Sequence, residues 1–80
     1  MLKKSFEEKY PNIARWVNKE NGLIEIGYRD NGYSSAFVRA FDIGGTSWEG
    51  EDEYESMDDM FADLEVAVQG CMREIHGENN

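Results

Sequence analysis

Seven carboxylates fall within eleven residues of this chain, at Glu49, Glu51, Asp52, Glu53, Glu55, Asp58 and Asp59. Carboxylates at that density can ligate a hard cation through oxygen, attract a basic protein, or imitate the charge of a nucleic acid. The spacing argues against a calcium loop. It lacks EF-hand order, and no glycine stands at the central turn that such a loop needs. A solvated acidic surface is the expectation, and Glu51, Asp52, Glu53, Glu55, Asp58 and Asp59 form a candidate docking stretch for a basic partner.

The other reactive side chains are sparse. Cys71 falls on an apolar helical stripe, where a thiol is expected to be buried and inert. His76 is the only histidine, near a helix end where a cation suits the dipole. Alone, it gives Ser34 and Ser35 little from which to build a nucleophilic site. Gly27, Gly44, Gly45 and Gly50 match neither a phosphate loop nor a dinucleotide fingerprint, and turn and strand roles explain them. No catalytic residue, cofactor site or metal ligand is expected, and the chain reads as a non-enzyme.

Eighty residues make one small domain, which buries only about 60–65 % of its unfolded surface and so relies on a few large side chains. Net charge is −9, distributed as +2 over residues 1–40 and −11 over residues 41–80. Such a surface repels phosphate backbones, so no nucleic-acid partner is expected. One cysteine forms no internal disulfide, no apolar run is long enough to span a bilayer, and MLKKSFEEKY lacks the apolar core of a signal peptide. A soluble, cytoplasmic protein with no membrane partner is the expectation.

The elements that position these groups follow from local signals. Ser5 and Glu8 have capping-box spacing, and Phe6, Tyr10, Ile13, Trp16 and Val17 recur at helical intervals. Pro11 favours the first turn of a helix. The first helix, about 5–20, therefore reads as a turn over 5–9 and a main helix from Pro11, the alternative being one kinked helix. Gly22 suits the left-handed position after it. Met57, Met60, Phe61, Leu64, Val68, Cys71, Met72 and Ile75 form the most regular stripe, a helix over about 57–76 with Ser56 as its N-cap.

Between the helices, three β-prone runs at about 23–29, 34–42 and 46–50 are separated by turn signals at Asp30-Asn31-Gly32 and Gly44-Gly45. The expected fold is α+β: an α-β-β-β-α two-layer domain, with a three-stranded antiparallel meander and both helices on one sheet face. Two-residue loops at Asn31-Gly32 and Gly44-Gly45 would pair Ile26 with Phe37 and Phe41 with Trp48. One face would then hold Ile24, Ile26, Tyr28, Phe37, Phe41, Ile43 and Trp48. Arg39 would lie at its margin, reaching a helix carboxylate. A bulged first loop would pair Ile26 with Ala36 instead.

The element order resembles that of double-stranded-RNA-binding domains. The resemblance implies a basic N-terminus on the last helix for contact with phosphate, and here that position carries Asp58 and Asp59. RNA binding is therefore not expected. What remains is an interaction module. The face expected to be open, Glu25, Ala36, Val38, Ala40 and Glu49, is a candidate contact surface for another protein or for a second copy in a homodimer. Edge pairing through 46–49 is a related route. The second hypothesis is an accessory protein that binds a small molecule or metal between the first helix and the sheet, near Tyr10, Trp16 and Tyr28.

Overall fold

The computed structural model describes residues 5–28 and 35–77. Ser5 opens α1 (Phe6–Lys9) with a complete capping box: its hydroxyl accepts the Glu8 N–H at 3.2 Å, and its own N–H donates to Glu8 Oε1 at 3.0 Å. Pro11 then starts α2 (Pro11–Asn18), so the turn-plus-helix reading holds. Phe6 and Tyr10 tie α1 to the last helix through Phe61, with ring centroids 5.0–5.5 Å apart.

Asn21, not Gly22, takes the left-handed backbone after α2, at φ 58°. Gly22 is required for a different reason. A Cβ there would stand 2.3 Å from the Trp16 indole nitrogen, and Trp16 is wholly buried. The chain turns beneath the indole, and the Gly22 N–H donates to the Trp16 carbonyl at 2.8 Å.

Strands β1 (Leu23–Ile26), β2 (Val38–Asp42) and β3 (Gly45–Glu49) form an antiparallel sheet in the order β1-β2-β3, followed by α3 (Met57–His76). Ser56 caps α3 by accepting the Asp59 N–H, and Gly77 ends it with φ 69°. The fold is the expected α+β arrangement, with α2 and α3 packed on the sheet. The Asp30-Asn31-Gly32 turn lies outside the described residues.

The register differs from both sequence expectations. Ile26 pairs with Val38 and Ile24 with Ala40. The second hairpin turns at Ile43-Gly44, because Asp42 pairs with Gly45 and Phe41 with Thr46. Ala40 then pairs with Trp48, leaving Ser47 as the extra residue of a β-bulge;. Ile24, Ile26 and Trp48 keep their expected face, but β2 is turned over. Val38 and Ala40 join the core with Tyr10, Ile13, Trp16, Met60, Leu64, Val68 and Met72. Phe41 is only half-buried and Ile43, at the hairpin tip, is 98 % exposed.

Volume explains the reversal. The helices supply the bulk, in Trp16, Met60, Leu64 and Met72, and close packing then demands small residues opposite them. The expectation that bulky strand residues share the core face follows from two-residue loops at Asn31-Gly32 and Gly44-Gly45; the second hairpin turns instead at Ile43-Gly44. Arg39 consequently lies on the face away from the helices, beside Glu25 and Glu49. Its Nε donates to Glu25 Oε1 at 2.7 Å, its Nη2 to the Gly27 carbonyl at 2.8 Å, and its Nη1 to the Ala36 carbonyl. Its ion-pair partner is a strand carboxylate, not the helix carboxylate expected. A guanidinium so bonded tolerates its 3 % exposure;.

Candidate functional site

The proposed open face is corrected by burial. Ala36, Val38 and Ala40 are 3 %, 0 % and 0 % exposed, so they offer nothing to a second copy of the chain. Glu25 and Glu49 belong to the opposite side of the sheet, flanking Arg39. The residues expected to line a pocket between the first helix and the sheet are split between core and surface. Tyr10 and Trp16 are core residues, whereas Tyr28 is 65 % exposed and lines a different cleft.

The acidic stretch is exposed along its length: Glu49, Glu51, Asp52, Glu53, Glu55, Asp58 and Asp59 all face solvent. It is also anchored. Beyond β3, the Gly50 N–H donates to the Val38 carbonyl at 2.9 Å, and the Phe37 N–H donates to the Glu51 carbonyl at 2.8 Å. These bonds hold residues 50 and 51 alongside residues 37 and 38. Glycine is needed at 50, since a Cβ would stand 2.4 Å from the Tyr54 hydroxyl and 2.7 Å from both Val38 and Trp48.

Tyr54 fastens the next turn. Its hydroxyl accepts the Glu51 N–H at 2.9 Å and donates to Asp63 Oδ2 on α3 at 2.7 Å. Burial, and then the bond to the Asp63 carboxylate, push its ionisation up to about 12, so it remains a neutral donor. Tyr28 Oη donates to the Asp52 carbonyl at 2.7 Å, and Ser35 Oγ donates to Asp52 Oδ1 at 2.8 Å. The carboxylates therefore stand on a backbone held in one course. Among the described residues, no lysine, arginine or histidine pairs with any of the seven.

Beside this ledge lies a cleft of about 330 Å³, lined by Tyr28, Phe37, Glu53, Tyr54, Ser56 and Met57. Tyr28 and Phe37 meet edge to face at 5.2 Å, and Phe37 and Tyr54 are 6.4 Å apart at 59°. Sequence reasoning missed this cluster. One signal was present: Tyr54 is a lone aromatic within Glu51-Asp52-Glu53-Tyr54-Glu55, off any helical stripe. Tyr28 and Phe37 are expected on one face, and Phe37 does pack against the core; that Tyr54 joins them was not legible, because it follows from contacts beyond β3.

The remaining candidates carry no chemistry. Cys71 is half-buried; burial pushes its thiol up, and the Glu74 and Asp42 carboxylates add to the effect. A thiol held protonated is a poor nucleophile. His76 contacts Glu20 at 3.0 Å. Ser35 is committed to Asp52, and Ser34 lies outside the described residues. Among the described residues no three His, Cys, Asp or Glu side chains gather as a metal site, and no helix is long and apolar enough to cross a membrane. No protein-family model, curated protein or solved structure matches the chain.

Proposed function

We propose that this chain is a non-enzymatic interaction module of the cytoplasm that docks a basic segment of a partner protein on the ledge at residues 49–59. One observation carries the reading: seven exposed carboxylates, without a cationic partner among the described residues, stand on a backbone fixed to the sheet and to α3. Fixed like charges repel one another, and a cationic segment relieves that repulsion. It also loses less entropy on binding a fixed surface than a mobile tail would cost. The burial of Tyr10 and Trp16 in the core favours a surface site over a pocket between α2 and the sheet.

Titration of a lysine- and arginine-rich peptide at several salt concentrations tests this. The affinity should fall steeply as salt rises. Replacing Glu51, Glu53 and Glu55 together by glutamine should weaken binding by roughly tenfold and flatten the salt dependence. An affinity unchanged by that triple substitution would overturn the docking role.

A further inference from the structure

We infer that the cleft between Tyr28, Phe37, Tyr54 and Met57 receives an arginine side chain from the docked segment, with Glu53 as its counter-charge. The inference deepens the docking reading and rests on it. Three aromatic rings present π-faces and edges around a space open to solvent on one side. A cation over such faces is attracted by the ring quadrupoles, more strongly as water is removed. The volume lies at the bottom of the range for ligand sites, about 300–1,000 Å³, which suits one side chain better than a metabolite.

The charge of the lining selects the sign of the occupant. Among the described residues, Glu53 is the only charged one that lines the cleft, and Glu51, Asp52 and Glu55 flank it in the chain. These carboxylates repel an anion. Among cations, arginine fits best. Its planar guanidinium is weakly hydrated, stacks on aromatic rings and can present two N–H donors to one carboxylate. An ammonium is more strongly hydrated and lacks the plane. The rings hold their places: the Tyr28 and Tyr54 hydroxyls are tied to the Asp52 carbonyl and to Asp63. The recognising surface is therefore set before the ligand arrives.

The test uses the intact chain and four versions of one lysine-rich peptide, with arginine, citrulline, lysine or trimethyl-lysine at the central position. Citrulline keeps the shape of arginine and loses the charge. The arginine peptide should bind roughly tenfold tighter than the citrulline peptide, and roughly threefold or more tighter than the lysine and trimethyl-lysine peptides. Tyr28→Ala should abolish the arginine preference, so that the arginine peptide loses its margin over the lysine peptide whatever the variant does to the affinity the two share. Tyr28 is 65 % exposed, so the variant should fold, and circular dichroism checks that it does. Glu53→Gln, which removes charge but not shape, gives a second route to the same loss. Equal binding of the arginine and citrulline peptides, or an arginine preference that survives Tyr28→Ala, would overturn the inference. A trimethyl-lysine peptide that bound best would overturn it in favour of a methylated ammonium. Salt-sensitive binding of all four peptides at equal strength would leave the ledge standing and remove the cleft. No binding by any of them would remove both.

Discussion

Gly22 and Gly70 are the same residue under opposite constraints. The space a Cβ would need at Gly22 is filled by the Trp16 indole, at 2.3–2.5 Å. Gly22→Ala must therefore displace a buried tryptophan or bend the chain away from it. Overpacking of this kind costs about 1–3 kcal/mol, read as a lowered midpoint in urea denaturation. Gly70 is exposed within α3, and an added methyl there would meet nothing within 4 Å. Gly70→Ala should stabilise the chain by about 1 kcal/mol, because alanine loses less backbone freedom in a helix. A loss of stability in that variant would show an unseen contact at the helix surface. The sequence alone is compatible with either a close approach or simple tolerance at Gly70. Only the neighbours decide it.

At the scale of elements, α2 is held at both ends by α3. Its N-cap, Tyr10, supplies no side-chain bond. Instead Glu65 of α3 accepts the Asn12 N–H at 2.9 Å, the Asn12 side-chain amide at 2.8 Å and the Ile13 N–H at 3.0 Å. A carboxylate from a distant helix thus satisfies two of the donors a helix start leaves open. Glu65→Ala should cost about 1–3 kcal/mol, with faster amide exchange at Asn12 and Ile13 as its local mark. At the other end, Glu20 joins Arg15 at 3.2 Å and His76 at 3.0 Å. The hydrogen bond to His76 holds the Glu20 carboxyl below its ordinary value of 4.5. Burial opposes that effect, while the His76 charge and Arg15 add to it. A folded-state value lowered in this way contributes stability above pH 4.5 that is lost as the carboxyl takes up its proton in acid. Glu20→Gln should therefore be less stable than the native chain at neutral pH, with the gap closing as pH falls below 4.5. A gap constant from pH 6 to pH 3 would show that the carboxylate charge plays no part.

The same scale shows what the sequence could and could not convey. The caps at Ser5 and Ser56, the start at Pro11 and the α3 stripe are local signals, acting over three or four residues, and the structure follows them. The face of β2 is set by non-local terms. These are the chain that joins it to β1, the bulge at Ser47, and the size of helix side chains more than a dozen residues away. A shift of one residue turns every side chain of a strand over. That single step moved Val38 and Ala40 from the expected open face into the core. Glu65 had no visible role in the sequence, because its partners lie 52 and 53 residues away.

For the molecule as a whole, the proposed docking surface falls in the acidic half of the sequence. Ala36, Val38 and Ala40 are buried, whereas the seven carboxylates at 49–59 are exposed, which favours the ledge as the contact surface on the proposed reading. Its carboxylates were legible as a run of acids. Their fixed course, and the aromatic cleft beside them, were not, since both depend on bonds to residues 28, 35, 37 and 63. The most direct test is an amide-resolved NMR titration of the intact chain with an arginine-containing basic peptide at low salt. The docking proposal predicts shifts concentrated at residues 50–59 and at Tyr28 and Phe37, disappearing as salt is raised. Shifts concentrated instead around Leu23 and Phe41, on the far side of the sheet, or no saturable shifts at all, would contradict it.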